Sequence, residues 1–157
     1  MKLRGLNVEL VGEFAKDAFW DGHLDELNKD QLYMFASQNH RIKRLIGKVD
    51  YIITDSPVIL YLYYGRTESD AFKELVLETH KSMDSVNIFI SRVKPYMRVG
   101  RSQSEEEARE IDVSLMDIVD SNGIEMSFVS GDSSAAWTIM EYVLRLNSED
   151  DYFVGAN

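Results

Sequence analysis

Short apolar runs alternate with longer amphipathic segments along the 157 residues of the chain. Four strands are predicted by the runs NVELV, VDYIITDSP, SVNIFISRV and IEMSFVSGD, because each is a short apolar stretch that ends in turn-forming or polar residues. Segments of helical periodicity separate these runs. The pattern therefore predicts an α/β fold, with a parallel sheet that carries helices on both faces in three layers.

The helix signals are regular. A short helix is expected over Phe14 to Trp20, and one long amphipathic helix over LDELNKDQLYMFASQNHRIKRLIGK, whose apolar residues recur every three or four positions. Ser104 and Glu107 have the Ser-x-x-Glu spacing of a capping box, which predicts that a helix begins there. Further helices are predicted after Pro57, over 70–83 and over SAAWTIMEYVLRL.

Polar residues recur on the long predicted helix at three- or four-residue steps, and the ordinary interpretation is a face exposed to solvent. These residues are Gln31, Gln38, Arg41 and Arg44.

Composition narrows the function classes. With 45% hydrophobic residues, the chain is long enough for one folded domain, predicted over residues 1–147 with an acidic, flexible tail at 148–157. The formal charge of −10 disfavours duplex nucleic acid as a partner. No apolar run approaches the ~20 residues of a membrane span, so we expect no membrane partner. The chain has no cysteine, which suits a cytoplasmic protein.

The strongest candidate site is Asp55-Ser56-Pro57, which follows the second predicted strand. An acid that leaves a buried parallel strand lies at the edge where α/β proteins bind ligands. Asp55 could hold Mg²⁺ through water or accept a proton from a substrate hydroxyl. Alternatively, Asp55 caps the next helix or stabilises a turn.

Four cations form a second candidate between the third strand and the next helix. Guanidinium groups there could contact phosphoryl oxygens, although solvated loop cations are the simpler interpretation. The cations are Arg92, Lys94, Arg98 and Arg101. Glu13 and Lys16 follow the first strand and could contact a ligand at the same edge as Asp55, or form an exposed pair at a helix start.

Taken together, several segments resemble the P-loop nucleoside and nucleotide kinase-like ATPases that are common in bacteriophage genomes and related to ribosylnicotinamide kinases. The resemblance covers nearly the whole chain to about Leu146. The segments that carry it are NVELVGEFAKDAFW, QLYMFASQNHRIKRL, GKVDYIITDSP, RVKPYMRVGRSQSEEEAREID and SGD.

The resemblance implies a role for each candidate residue. Asp55 would be the Walker B-type carboxylate that acts on Mg²⁺ or on the acceptor hydroxyl. Arg98 and Arg101 would contact the transferring phosphates from a lid, with Arg92 nearby. Of the remaining residues, Glu13, Lys16 and Ser56 would lie beside the acceptor, and Gly131 and Asp132 against the adenine of ATP.

The motif that defines the family is absent from the sequence. Nowhere do the 157 residues contain G-x-x-x-x-G-K-[ST], whose backbone amides and lysine hold the phosphates of ATP. MKLRG at the start of the chain has the pattern of the last turn of a helix, with Gly5 after its end. The resemblance therefore implies that a strand, the P-loop and most of a helix, roughly 25 residues in all, would precede Met1.

The strand that is missing in this interpretation is the central one of the family's sheet, between the Asp55-type strand and the NIFISRV strand. Three outcomes are open: those two strands close on each other, another subunit fills the gap in a homo-oligomer, or the gene product starts earlier. On its own the chain is expected to bind ATP and Mg²⁺ weakly or not at all.

Three functions follow as hypotheses. The first is ATP-dependent phosphoryl transfer to a nucleoside, nucleotide or similar small acceptor, provided that an upstream P-loop exists, in the cytoplasm or in the host cytoplasm if the gene belongs to a phage. The second is a non-catalytic module that binds a nucleotide-like ligand or a protein. A purely structural role is the third.

Overall fold

The structure is a computed structural model that describes residues 1–93 and 104–154. The chain divides into two compact units, Met1–Asp84 and Ser85–Asn157, and each is described by itself. The prediction of one domain over residues 1–147 stays a prediction.

The first unit contains two strands and five α-helices. In chain order they are β1 (Val8–Val11), α1 (Phe14–Trp20), α2 (Leu24–Leu27), α3 (Gln31–Lys43), β2 (Tyr51–Thr54), α4 (Tyr61–Tyr64) and α5 (Asp70–Lys81). Single 3₁₀ turns at Lys2–Arg4 and Val58–Leu60 precede β1 and α4. The second unit contains β3 (Ile88–Ser91), α6 (Glu105–Ser121), β4 (Ser127–Ser130) and α7 (Ala135–Val154).

All four predicted strands form, and they pair in parallel. Strand β1 pairs with β2 so that Val11 lies opposite Thr54, and β3 pairs with β4 so that Ser91 lies opposite Ser130. Among the described residues the strands form two separate two-stranded sheets. The α/β class is therefore confirmed, whereas a single three-layer sheet stays a prediction.

Several helix boundaries follow from local chemistry that the sequence announces. Helix α1 has the predicted bounds. The capping box at the start of α6 forms, because the Ser104 hydroxyl accepts a hydrogen bond from the Glu107 amide at 3.2 Å and the Glu107 carboxylate accepts one from the Ser104 amide at 2.6 Å. Gly5 adopts the left-handed conformation that its predicted place after a helical turn requires, with φ of 81°.

The prediction of one continuous helix over LDELNKDQLYMFASQNHRIKRLIGK is wrong. Helix α2 ends at Leu27, and α3 begins only at Gln31. The break occurs because the Asp30 carboxylate caps α3 by accepting a hydrogen bond from the Tyr33 amide at 2.9 Å. The apolar spacing carries across two helices, so periodicity alone does not reveal the interruption.

Helix α7 continues to Val154, beyond Leu146 where the sequence places its end. Residues 148–154, which we expected to belong to a flexible tail, therefore have helical backbone. None of the helices in the described part of the chain is both long enough and apolar enough to cross a membrane.

The core of the first unit packs the inner face of α3 against the segment that follows β2. Phe35 of α3 meets the rings of Tyr61 and Phe72 edge to face, each with centroids 5.7 Å apart. The Tyr61 hydroxyl donates a hydrogen bond to the Met34 carbonyl oxygen at 3.0 Å. These contacts fix the chain that leaves the carboxyl end of β2.

Candidate functional site

The carboxyl ends of β1 and β2 form one edge of the first sheet. Because Val11 lies opposite Thr54 in the parallel register, Gly12 and Asp55 leave the sheet side by side. The loop after β1 leads directly into α1, and the loop after β2 leads into the 3₁₀ turn. We call the chain from Gly12 to Phe14 and from Thr54 to Ser56 the first edge.

A buried glutamine joins the two loops of the first edge. The Gln38 side chain of α3 has no solvent exposure, and its amide oxygen accepts a hydrogen bond from the Phe14 amide at 2.8 Å. Its amide nitrogen donates longer bonds to the Gly12 carbonyl oxygen at 3.4 Å and to the Thr54 hydroxyl at 3.5 Å. Gln38 therefore satisfies backbone groups that the strands leave unpaired at this edge.

The expectation that Gln38 and Gln31 lie on a solvent face is wrong for both residues. Gln31 is buried and donates to the Asn28 carbonyl oxygen at 2.9 Å. The sequence does contain the signal, because Gln38 lies four residues after Met34 and four before Ile42, both of which are buried. A polar residue at helical spacing between two core residues is expected to point inward.

Asp55 is the exposed carboxylate of the first edge. Within the described residues it makes no hydrogen bond or ion pair. The alternative of a helix cap is not what the structure has, because the following 3₁₀ turn starts from Pro57 without any side-chain cap. The loop is fixed instead by the Thr54 hydroxyl, which accepts a hydrogen bond from the amide of the buried Ser56 at 3.1 Å.

Glu13 is a second acid at the first edge. It precedes α1 and is half-buried, but its side chain does not cap that helix. Burial raises the pKa of Tyr61 well above its ordinary value, and the negative charge of Glu13 raises it further, while Arg41 opposes the shift. Glu13 is thus within electrostatic reach of Tyr61. Lys16, in the first turn of α1, is exposed.

The residues of the first edge fit the ligands of the resembling kinases only in part. A carboxylate such as Asp55 suits Mg²⁺ that keeps several waters and is bound mainly through phosphates. Among the described residues no three acidic or histidine side chains group as a metal site. The glycine-rich cradle and lysine that ATP phosphates require are not in the sequence.

Two grooves flank the side chains of Phe14 and Arg41. The Arg41 guanidinium forms an ion pair with Asp17 at 2.7 Å and lies 4.9 Å from the centroid of the Phe14 ring. On one side is the acidic groove, of about 360 Å³, lined by Phe14, Asp17, Ala18, Trp20, Asp21, His23, Leu27 and Arg41. On the other is the cationic groove, of about 450 Å³, lined by Phe14, Tyr33, Ala36, Ser37, His40, Arg41 and Arg44.

Arg92, in the second unit, already has an acidic partner. Its guanidinium donates two hydrogen bonds to the Asp112 carboxylate of α6, at 2.7 and 2.9 Å. This bidentate pair ties the end of β3 to α6. Lys94, Arg98 and Arg101, the other cations of the predicted lid, lie outside the described residues.

Gly131 and Asp132 follow β4 and also have structural partners. The Gly131 amide donates to the Ser91 carbonyl oxygen at 2.9 Å, and a Cβ on Gly131 would come within 2.6 Å of that oxygen. The Asp132 carboxylate accepts hydrogen bonds from the amide and the hydroxyl of Ser134, at 2.8 and 2.6 Å. We call the chain from Ser91 to Arg92 and from Ser130 to Asp132 the second edge.

The structure thus brings some predicted site residues together. Glu13 and Asp55 share the first edge with the buried Ser56, and Lys16 follows on α1. Arg92, Gly131 and Asp132 belong to the second unit. Comparison of the chain with protein-family models, with curated proteins and with solved structures finds no match.

Proposed function

We propose that the chain is the acceptor-side and magnesium-side part of a P-loop kinase-like domain. With an upstream P-loop, this domain transfers a phosphoryl group from ATP to a nucleoside, nucleotide or similar small acceptor. Asp55 arranges the water shell of Mg²⁺ or accepts the proton of the acceptor hydroxyl. Bound Mg²⁺ would supply charge neutralisation at the phosphates. The chain alone does not turn over, since it has no phosphate cradle.

One observation carries this proposal: the Asp55 carboxylate is exposed at the carboxyl end of a parallel strand and makes no bond to the described residues. A carboxylate that stabilised the fold would have a capping, turn or ion-pair partner. The companion loop after β1 places Glu13 at the same edge, so a ligand there would meet two acids. Such an edge is where α/β proteins bind ligands.

The strand pairing also supports the proposal. Strands β2 and β3 each have one strand neighbour among the described residues. In the resembling kinases the strand that leads into the P-loop would be the second neighbour of each. The pairs β1 with β2 and β3 with β4 are those that the family order leaves when its central strand is not counted.

The test begins with the coding DNA upstream of Met1. An in-frame glycine-rich loop ending in Gly-Lys-Ser or Gly-Lys-Thr is expected, and the longer product is then assayed for transfer of labelled γ-phosphate to nucleosides and nucleotides. A stop codon close upstream of Met1, or a longer product without transfer, would contradict the proposal.

Two variants locate the chemistry within the longer product. Asp55→Asn is expected to lower the transfer rate by about 100-fold or more, the range typical of a lost acid–base or metal-arranging group. Asp84→Asn is the matched control, because Asp84 is also exposed and without a bond in the described part of the chain. Equal rates for the two variants would remove Asp55 from the mechanism.

The second candidate is a non-catalytic module that binds a nucleotide-like ligand. The observation that favours it is the absence of the phosphate cradle from the sequence. Calorimetry of the 157-residue chain with ATP, deoxynucleoside monophosphates and nicotinamide nucleosides separates the candidates. Binding of one of these ligands without transfer by any longer product would favour the module, and measurable phosphorylation by the chain itself would exclude it.

A further inference from the structure

The cationic groove has a charge opposite to that of the chain as a whole. Its lining includes Arg41 and Arg44 but no carboxylate, in a protein of net charge −10. Arg44 is exposed and makes no hydrogen bond or ion pair within the part of the chain that the structure describes. Its donors are therefore available to an anion.

The second arginine of the groove is held in place. Arg41 is fixed by the 2.7 Å ion pair with Asp17 on one side and by the Phe14 ring on the other. A guanidinium that is already oriented loses little freedom when it binds a ligand. The Asp17 partner lines the acidic groove and not the cationic one.

An aromatic wall borders these cations. The rings of Phe14 and Tyr33 meet edge to face, with centroids 5.8 Å apart, and Tyr33 remains 50% exposed. An exposed ring of this kind offers packing area to a flat apolar group. Anion-binding and ring-packing groups therefore lie in one groove.

Helix electrostatics account for only part of this arrangement. Cations near the last turn of α3 complement the negative end of the helix dipole, which amounts to about half an elementary charge. Arg41, Lys43 and Arg44 together exceed that charge several times. Lys43 belongs to the same turn but does not line the groove.

We propose that the cationic groove binds a small ligand in which a phosphate monoester is joined to a flat ring, as in a nucleoside monophosphate. The guanidinium groups match phosphate oxygens as paired donors, and the Ser37 hydroxyl and the His40 ring add further donors at the same groove. A volume of about 450 Å³ falls within the range of small-ligand sites. This site is distinct from the first edge and does not rest on the phosphotransfer proposal.

The test is a titration of the 157-residue chain with adenosine 5′-monophosphate, adenosine and inorganic phosphate, followed by calorimetry and by amide chemical shifts. The monophosphate is expected to bind at least about tenfold more tightly than either fragment, because one oxyanion contact alone accounts for that factor. Shifts are expected at Ser37, His40 and Arg44. No binding at millimolar monophosphate, or equal binding of adenosine, would overturn the proposal.

Three variants assign the site. Arg44→Gln is expected to weaken the monophosphate about tenfold, whereas Lys43→Gln, the matched loss of charge on the same helical turn, leaves the affinity unchanged. Asp55→Asn is expected to leave the affinity unchanged as well. Equal losses for Arg44→Gln and Lys43→Gln would reduce the effect to general charge, and a loss with Asp55→Asn would move the ligand to the first edge; either result overturns the proposal.

Discussion

The two sheets place polar residues at their carboxyl edges in opposite ways. At the second edge, Arg92 binds Asp112 and Asp132 binds Ser134, so the side chains with reactive groups already have structural partners. At the first edge, a buried glutamine stabilises the loops, and the Asp55 carboxylate is left exposed. The comparison teaches that charged residues after a strand indicate function only where other groups stabilise the loop.

The glycines of the two edges show the same contrast. A Cβ on Gly131 would meet the Ser91 carbonyl oxygen at 2.6 Å, whereas a Cβ on Gly12 would meet no atom within 4 Å. Neither glycine has a positive φ, so the difference is one of space alone. The second edge is closed around its glycine, and the first edge has room for a ligand beside it.

The largest effect is expected from Gln38→Leu. The substitution would leave the Phe14 amide and the Gly12 carbonyl without their partner, and we expect it to lower the free energy of unfolding by about 3 kcal/mol. Urea unfolding measures the loss. Gln31→Leu is the matched control on α3, since Gln31 makes one local bond, and its cost should be about 1 kcal/mol. Similar losses would mean that Gln38 does not join the loops of the first edge.

A smaller effect is expected from Gly131→Ala. The added methyl group has to push the ends of β3 and β4 apart, at a cost of about 2 kcal/mol. Gly12→Ala at the first edge should change the free energy of unfolding by no more than about 0.5 kcal/mol. Thermal or urea unfolding of both variants compares the edges directly, and equal costs would contradict the difference in space between them.

Arg92→Gln tests whether the Arg92 and Asp112 pair stabilises the second unit. Because both side chains are partly exposed, we expect a loss of only about 1 kcal/mol, which becomes smaller at high salt. A double-mutant cycle with Asp112→Asn isolates the pair. A coupling energy of zero would leave Arg92 free for the phosphate contact that the resemblance implies.

The sequence predicts the strands and their parallel pairing well, because short apolar runs that alternate with helical segments have few other solutions. It also predicts the capping box at Ser104, since both partners lie within one helical turn. It misses the Asp30 cap, which interrupts a continuous apolar stripe, and the inward position of Gln38. The roles of Arg92 and Asp132 depend on partners such as Asp112, which lies 20 residues from Arg92, and spacing along the chain does not reveal them.

Asp55→Asn is expected to have the smallest effect on stability, no more than about 0.5 kcal/mol in urea unfolding, because the carboxylate makes no bond to the described residues. A larger loss would show that Asp55 stabilises the fold, and would remove the difference between the edges. Asp84→Asn again serves as the control for the loss of one charge.

Paramagnetic broadening by Mn²⁺ and by its ATP complex tests the central claim most directly, since it detects even weak binding of a metal to the 157-residue chain. The account predicts that the amide signals of Asp55, Ser56 and Glu13 broaden first, that Asp55→Asn abolishes the effect and that Asp84→Asn does not. Broadening that instead follows the acidic start of α6, or that is the same in both variants, would contradict the assignment of the first edge as the functional one.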